Sequence, residues 1–477
     1  MDKRKREVIG EAQMDSAIAL HVVIFPFMSQ GHTMPLLDLS VALSGENVKV
    51  TVITTSANLE FITRQVSGRR NVDTITIPFP VTEGLPAGCE NTSQMPSFEY
   101  FVPLLKATKM LRDPFQQLLG DLLGSANPPV CVISDFFLGW TQDVCDSLRL
   151  PRIVFHGMGV LSMAIKKYTW RMDSQIASDL TPIHLPDVEL PFSLTKLDLI
   201  PGVNDPVESF ADYATEAAIA DMKSWGILVN SFEELEGAYV PSFESFYPRG
   251  AKAWLVGPLL FHREEDDSKL PDWFDHRKHD TNQVIYVAFG TQVEISDAQL
   301  DEIAFGLIDS GIPFIWLLRS KTWSIPESAK RDCKGLILDQ WVDQRKVLSH
   351  PSIGGFLTHA GWNSVMESMA AGVPMLTWPM AFDQPLNAKF VVEGLGTGLA
   401  IRKGPLKHDS RIEVWREAIS EGVKELMKGE KGREAKTRAT VLSRVARTAV
   451  KTGGSSYNNL QKMMAELCKL SAPVEYV

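Results

Sequence analysis

Apolar runs typical of buried strands alternate with helical segments along this 477-residue chain, and no other feature constrains its fold as strongly. Such alternation predicts parallel sheets covered by helices on both faces. The pattern is interrupted by a charged stretch at residues 257–282 and then restarts, so two α/β halves are expected, facing each other across a cleft. The strand-like runs are residues 21–27, 48–53, 72–77, 130–134, 152–155, 227–230, 284–289, 314–318, 336–338 and 374–378.

Composition and charge narrow the class of protein. Hydrophobic residues make up 44% and charged residues 22%, which is ordinary globular usage, and the net charge of −10 opposes nucleic acid or an anionic membrane as the main partner. The five cysteines contain no C-x-x-C pair, which favours a reducing compartment. The apolar run at residues 17–28 is too short to span a bilayer, and no signal-peptide pattern is present, so a cytoplasmic location is expected.

Two polar side chains follow buried strands of the first half. His32 stands after the run 21–27, where a loop is expected, and Asp135 ends the run 130–134. Because carboxyl ends of parallel strands meet at one sheet edge, the two can lie together, and a histidine oriented by a carboxylate is a general base. On position alone, each could instead cap a helix. No serine elbow or reactive-cysteine motif accompanies them, which disfavours covalent catalysis.

Residues 341–384 carry the strongest chemical pattern. His359-Ala360-Gly361-Trp362-Asn363-Ser364 lies between a strand and a helix, where helix-terminal amides favour an anion such as a diphosphate. Glu367 follows Ser364 by three positions on the same helical face, and its carboxylate can accept hydrogen bonds from ribose hydroxyls. Trp341 offers a flat ring for a base, and Asp383-Gln384 suits sugar hydroxyls. No Walker-type phosphate loop is present, and Gly394–Gly398 has the wrong spacing for a dinucleotide fingerprint.

This segment resembles the signature box of plant UDP-dependent glycosyltransferases of glycosyltransferase family 1. That box spans 44 positions, as it does here (384 − 341 + 1 = 44), and the HxGWNSxxE motif and the closing Asp-Gln agree. The resemblance extends over nearly the whole chain, including VISDFFLGW and VIYVAFGTQ before the box. It implies an α/β GT-B fold with two Rossmann-like domains facing across a cleft. His32 and Asp135 match the family's base and its partner.

The resemblance also implies roles for the donor site. Trp341 would stack on uracil, Gln344 and Glu367 would approach the ribose, and Thr291 would approach the phosphates. His359, Asn363 and Ser364 would hold the diphosphate, while Trp362, Asp383 and Gln384 would contact the sugar. The full set of donor-binding residues is Thr291, Trp341, Val342, Gln344, His359, Trp362, Asn363, Ser364, Glu367, Asp383 and Gln384.

Domain boundaries and acceptor contacts are further expectations. Residues 1–255 would bind the acceptor, residues 256–454 would bind the UDP-sugar, and a C-terminal helix at about 455–477 would pack back on the first domain. Met95, Phe136 and Phe137 are candidate lining of the acceptor pocket, although each could equally be ordinary core. We expect a monomer whose partners are a UDP-sugar and a small-molecule acceptor, with no cofactor, metal, nucleic acid or transmembrane segment.

Three positions depart from the family pattern. Asp343 stands where proline is usual, Ala360 replaces a frequent cysteine, and Ala288 replaces a frequent serine. All three are interpreted as supporting the backbone, but Asp343 adds a charge beside the expected uracil site.

The predicted function is inverting transfer of glucose from UDP-glucose to a small hydrophobic acceptor, a plant phenolic or flavonoid, giving a β-glucoside on oxygen or on carbon. Glutamine at position 384 accompanies glucose in the resembling family. The alternatives are a GT-B sugar-nucleotide epimerase and a non-enzymatic UDP-sugar-binding protein.

Overall fold

The computed structural model describes most of the chain, in segments whose limits are as follows: residues 20–172, 182–185, 188–199, 208–263, 270–277, 281–290, 295–318, 320, 323–327, 334–340, 342–402 and 412–471. The described residues within Met1–Phe155, Glu216–Gly226 and Lys462–Val477 form one compact unit. Those within His156–Thr215 and Ile227–Gln461 form a second.

The first sheet has seven strands in the order β3-β2-β1-β4-β5-β6-β7. Strand β1 lies between two parallel neighbours, with Val22 in register with Val50 on one side and Cys131 on the other. Every β1 residue is buried, as expected of a parallel sheet covered on both faces. The strands are β1 His21–Phe25, β2 Lys49–Thr54, β3 Val72–Thr76, β4 Cys131–Asp135, β5 Arg152–His156, β6 Gly226–Val229 and β7 Lys252–Leu255.

The helices that connect these strands begin with α1, which differs from expectation. It starts at Gln30 with Pro35 inside it, so His32 lies in its first turn and the predicted loop there is wrong. The chain turns directly into the helix because the Thr33 hydroxyl donates to the Phe27 carbonyl at 3.0 Å. The helices are α1 Gln30–Gly45, α2 Ser56–Gln65, α3 Phe101–Lys109, α4 Arg112–Leu123, α5 Thr141–Ser147, α6 Val160–Met172, α7 Glu208–Asp221, α8 Glu233–Glu236 and α9 Val240–Glu244.

The second sheet has six strands in the order β10-β9-β8-β11-β12-β13, all paired in parallel. Its core includes the buried indoles of Trp316 and Trp378. The strands are β8 Val284–Ala288, β9 Phe314–Leu317, β10 Leu336–Leu338, β11 Ile353–Thr358, β12 Met375–Thr377 and β13 Gly398–Ala400. The helices are α10 Asp297–Ser310, α11 Gln344–Ser349, α12 Trp362–Ala371, α13 Gln384–Lys389, α14 Arg416–Lys428, α15 Glu430–Ala449 and α16 Ser455–Ser471.

The sheets place the predicted polar residues at strand ends. Asp135 is the last residue of β4, and His359 directly follows β11. Helix α16 begins against the segment after β7, where the Ser456 hydroxyl donates to the Gly257 carbonyl. None of the described helices is long and apolar enough to cross a membrane. The domain boundary expected at residue 255 and the packing of the C-terminal helix on the first domain stay predictions.

Candidate active site

The first half of the site is a hydrogen-bonded pair. His32 Nδ1 lies 2.8 Å from Asp135 Oδ2, and the second carboxylate oxygen accepts the Phe137 main-chain N–H at 2.9 Å. The Asp135 side chain is fully buried, whereas that of His32 is 24% exposed. Because a carboxylate only accepts, Nδ1 carries the proton of the neutral ring and Nε2 carries the lone pair. An accessible imidazole in this tautomer can take a proton from a bound hydroxyl.

Aromatic rings surround this histidine. The His32 ring centroid lies 5.4 Å from that of Phe27 and 5.2 Å from that of Phe137. Phe101 packs edge-on against both phenylalanines, and Phe136 packs against Phe137. We call these four phenylalanines the aromatic wall. It brings two of the three predicted acceptor residues, Phe136 and Phe137, close to His32.

The third predicted acceptor residue, Met95, follows the short 3₁₀ helix Thr92–Gln94. Thr92 is bonded to the turn before His32, since its N–H donates to the Met28 carbonyl at 3.0 Å and its hydroxyl to Ser29 Oγ at 3.1 Å. The Met95 segment is therefore anchored beside the start of α1. The role of Met95 in the acceptor pocket stays a prediction.

A buried arginine supports the end of β4. Arg152 is 1% exposed and donates from Nε to Ser134 Oγ at 2.7 Å and from Nη2 to the Asp135 carbonyl at 3.2 Å. Its Nη1 donates to Ser224 Oγ at 2.9 Å. These bonds fix the Asp135 peptide, and with it the direction of the carboxylate. Sequence reasoning missed this residue because its partners lie on segments distant in the chain.

In the second unit, the turn after β11 holds His359 between two glycines. A Cβ on Gly290 would lie 2.7 Å from His359 Nε2, and one on Gly361 would lie 2.6 Å from the same atom. A Cβ at either position would collide with the His359 ring unless the ring moved. Burial lowers the pKa of His359 to about 4, so the ring is neutral near pH 7. The neutral ring can therefore donate a hydrogen bond to a diphosphate but carries no positive charge.

Helix α12 starts at this turn, with Gly361 as its N-cap. Asn363 and Ser364 thus lie inside the first turn of the helix. The first hydrogen bond of the helix runs from the Val365 N–H to the Gly361 carbonyl at 3.0 Å. The N–H groups of the residues before Val365 have no acceptor within an α-helix. Their dipoles favour an anion at this end.

Gln344 links two predicted donor residues. Its Nε2 donates to Ser364 Oγ at 3.0 Å and to Glu367 Oε2 at 2.7 Å. Ser364 and Glu367 therefore share one face of α12, as their spacing predicts. The three side chains form one polar group beside the helix N-terminus.

The unusual Asp343 has a structural role. It is the N-cap of α11, and its Oδ1 accepts the Arg345 N–H at 3.0 Å. The Arg345 guanidinium also pairs with its carboxylate, with Nη2 2.9 Å from Oδ2. The charge added in place of proline is thus compensated locally, and the cap fixes the start of the helix that carries Gln344.

Asp383 and Gln384 lie at the start of α13, and both are buried. Gln384 Oε1 accepts the N–H groups of Met380 at 2.9 Å and Ala381 at 2.8 Å. Asp383 Oδ2 accepts Asn387 Nδ2 at 2.8 Å. Burial lowers the pKa of the Lys166 ammonium, and the charge of Asp383 partly opposes this effect.

The Trp362 indole is turned into the protein. It is 3% exposed, donates Nε1–H to the Asn230 carbonyl at 2.9 Å, and would lie 2.8 Å from a Cβ on Gly159. The carboxylate of Glu236 accepts the Leu161 N–H at 2.9 Å beside the same glycine, and burial raises its pKa. The Trp362 side chain therefore packs within the second unit. Its predicted contact with the sugar stays a prediction.

Three predicted donor residues have little structural account. Thr291 and Trp341 lie outside the described residues. Val342 is half-buried in the segment before α11. Within the described part of the chain, no group of three or more His, Cys, Asp or Glu side chains is placed to hold a metal ion. The expectation that no metal is needed stays a prediction.

Solved structures with this arrangement define the class of protein. The chain has a TM-score of 0.82 and 27% identity with Glycyrrhiza uralensis UGT73P12 complexed with glycyrrhetinic acid 3-O-monoglucuronide, covering 95% of this chain and 96% of that one. With Phytolacca americana UGT2 complexed with UDP-2fluoro-glucose and pterostilbene, the TM-score is 0.79 at 25% identity, with coverage of 94% and 100%. The predicted α/β GT-B fold is therefore confirmed.

Sequence comparisons give the family. The model of the glycosyltransferase N-terminal domain matches residues 18–261, and that of UDP-glucoronosyl and UDP-glucosyl transferase matches residues 265–421. UDP-glycosyltransferase 90A1 of Arabidopsis thaliana is 40% identical over 94% of this chain and 96% of its own length. Scopoletin glucosyltransferase of Nicotiana tabacum is 33% identical over 95% and 99%. The chain belongs to the plant UDP-dependent glycosyltransferases, and it is an enzyme of that family.

Proposed function

We propose that this enzyme transfers glucose from UDP-glucose to the hydroxyl of a small hydrophobic acceptor, with inversion, to give a β-glucoside. The observation that carries the proposal is the 2.8 Å bond from His32 Nδ1 to the buried Asp135, which places the proton of the neutral ring on Nδ1 and the basic lone pair on Nε2, in a ring packed against the aromatic wall. A phenol with a pKa near 10 suits a histidine base assisted by a carboxylate. O-glucosylation is the expected outcome, and attack through a ring carbon is the alternative.

The reaction needs one proton transfer and one displacement. As the acceptor oxygen attacks the anomeric carbon, its proton passes to His32 Nε2 and the bond from that carbon to the diphosphate oxygen breaks. UDP leaves with the bonding electron pair. The amides at the start of α12 and a hydrogen bond from neutral His359 would stabilise the developing negative charge. Attack on the face opposite the leaving group inverts the configuration.

Donor choice is assigned to the start of α13. Because Gln384 Oε1 is held by two main-chain amides, the amide nitrogen is the part of this side chain that would donate to a sugar hydroxyl. Asp383 would accept from neighbouring hydroxyls. Glutamine at this position supports glucose, and we expect UDP-glucose to have a higher kcat/KM than UDP-galactose or UDP-glucuronate.

The acceptor class follows from the aromatic wall and from the names of relatives. Flat aromatic acceptors can pack on the half-buried Phe136 and Phe137. Relatives include a scopoletin glucosyltransferase and a flavonoid 3-O-glucosyltransferase of Fragaria ananassa. A sugar-nucleotide epimerase would need no such wall, and a binding protein would need no base, so neither alternative is favoured.

A direct experiment tests this proposal. The enzyme would be incubated with each of the three UDP-sugars and a mixed library of phenols, flavonoids, terpenoids and hormones, with products identified by mass spectrometry. NMR would assign the anomeric configuration, and acid hydrolysis would separate O- from C-glycosides. We expect β-O-glucosides of phenolic acceptors. A preference for another UDP-sugar would overturn the donor assignment, and a retained α-configuration would overturn the mechanism.

A further inference from the structure

Asn387 occupies a position that the proposed reaction does not yet use. It lies in α13, is fully buried, and is four residues after Asp383. Its carboxamide makes three hydrogen bonds, each to a different segment of the second unit. Because these bonds engage both the nitrogen and the oxygen of the buried carboxamide, the side chain has one allowed orientation.

One bond reaches the turn after β11, residues 359–361, where the diphosphate is proposed to bind and which we call the diphosphate turn. Asn387 Nδ2 donates to the Ala360 carbonyl at 3.0 Å. Ala360 is a non-glycine residue with φ of 61°, a left-handed conformation that the surroundings must maintain. The Thr358 hydroxyl accepts the Ala360 N–H at 3.2 Å, so both sides of this residue are held. The Ala360 peptide sets the direction in which the chain leaves His359 and enters α12.

A second bond reaches the sugar end. The same nitrogen donates to Asp383 Oδ2 at 2.8 Å. The carboxamide oxygen accepts the Ser162 hydroxyl of α6 at 2.8 Å, which fixes the amide so that both of its hydrogens point to these two acceptors. Lys166 lies one helical turn after Ser162, and its charge acts on Asp383. Asn387 therefore orients the Asp383 carboxylate, which also interacts with the charge of Lys166.

We propose that Asn387 is a positioning residue that holds the diphosphate turn and the sugar-binding carboxylate in register, so that the enzyme recognises both ends of the donor together. This inference rests on the proposed function, because it takes Asp383 as a sugar contact. Only a carboxamide supplies two donors and one acceptor at this place. Aspartate has the same shape but would set a second carboxylate against Asp383 and the Ala360 carbonyl.

The test compares Asn387→Ala with Asp383→Ala and the double variant. Gln299→Ala is a matched control, since Gln299 is also buried and makes three bonds through its carboxamide, with Val414 O at 2.7 Å, Glu413 N at 2.8 Å and Val414 N at 3.0 Å. UDP affinity is measured by calorimetry and UDP-glucose use by kcat/KM with a phenolic acceptor. Thermal unfolding shows whether each variant is folded.

We expect Asn387→Ala to weaken UDP binding, because the diphosphate turn loses a hydrogen bond. The variant should lower kcat/KM for UDP-glucose by about tenfold beyond its effect on UDP binding, which is the size of one charged hydrogen bond. Asp383→Ala should lower kcat/KM but leave UDP affinity unchanged. In the Asp383→Ala background the extra loss on UDP-glucose from Asn387→Ala should shrink to its effect on UDP. Asn387→Asp should be worse than Asn387→Ala, and Gln299→Ala should lose stability only.

Additive losses in the double variant, or an unchanged UDP affinity in Asn387→Ala, would overturn the inference. So would Asn387→Ala matching Gln299→Ala in every measurement. Failure of the proposed function is distinct: the wild-type enzyme itself would then not transfer glucose from UDP-glucose. If Asn387→Ala does not fold, Asn387→Asp and Ser162→Ala provide the same comparison. Asn387→Asp replaces the carboxamide with a group of the same shape, and Ser162→Ala removes the hydrogen bond that orients the Asn387 carboxamide.

Discussion

Replacing Asp135 with asparagine should reverse the tautomer of His32, the proposed base. In the wild-type enzyme one carboxylate oxygen accepts the Phe137 N–H at 2.9 Å and the other faces His32 Nδ1 at 2.8 Å. The asparagine oxygen would keep the bond to the Phe137 N–H, so its NH₂ group would face His32. Nδ1 would then have to accept, and the proton would move to Nε2, where the base needs its lone pair.

The magnitude follows from what is lost. General-base assistance contributes about 10² to 10⁴ in rate, and both His32→Ala and Asp135→Asn should lose it. Asp135→Ala should fall less steeply, because the imidazole remains and can still adopt the productive tautomer. UDP affinity should stay close to the wild-type value in all three variants, since the proposed donor residues belong to the second unit.

The assay is steady-state transfer from UDP-glucose to a phenol, with UDP affinity measured by calorimetry on the same preparations. The order of activity expected is wild type, then Asp135→Ala, then Asp135→Asn and His32→Ala together. If Asp135→Asn retained more activity than Asp135→Ala, the tautomer argument would be refuted. If His32→Ala kept near-normal turnover or abolished UDP binding, His32 would not be the base.

Three further predictions concern the donor half. Glu367→Ala should weaken UDP binding by about 1.5 to 3 kcal/mol in calorimetry through lost ribose bonds to a charged acceptor, and an unchanged affinity would contradict that role. Because burial lowers the pKa of His359 from 6.5 to about 4, the unfolded chain binds more protons between these values, so stability should be lost as pH falls from 6.5 towards 4, by up to about 3 kcal/mol. His359→Gln should flatten this dependence in urea unfolding at several pH values, and an identical slope in both proteins would exclude His359 as its source. Activity should survive EDTA, whereas a loss greater than about tenfold that magnesium or manganese restores would show that a metal stabilises the leaving group.

The strands were predictable because buried parallel strands are short continuous apolar runs. The runs at residues 21–27 and 284–289 correspond to His21–Phe25 and Val284–Ala288. Helix starts were less predictable. The loop predicted at His32 is instead the first turn of a helix that begins at Gln30 and contains Pro35. The bond from the Thr33 hydroxyl to the end of the strand joins residues that no helical spacing marks.

Local spacing predicts contacts within one helix but not between distant segments. The shared face of Ser364 and Glu367 follows from their separation of three residues, and the bond from Asn387 to Asp383, four residues apart, could have been found in the same way. The bond from Ser162 to Asn387 joins residues 225 positions apart, and no local pattern marks it. The orientation of the Trp362 indole likewise depends on Gly159 and Asn230, which only the folded chain brings to it.

The most direct test of the account is acceptor-dependent release of UDP from UDP-glucose by the wild-type enzyme. UDP release would be followed with and without a phenolic acceptor, in the presence of EDTA. The account predicts rapid release only when the acceptor is present, with one β-glucoside formed for each UDP. Release at the same rate without acceptor, or UDP formed without a glucosylated product, would contradict the claim that His32 and the donor site together perform sugar transfer.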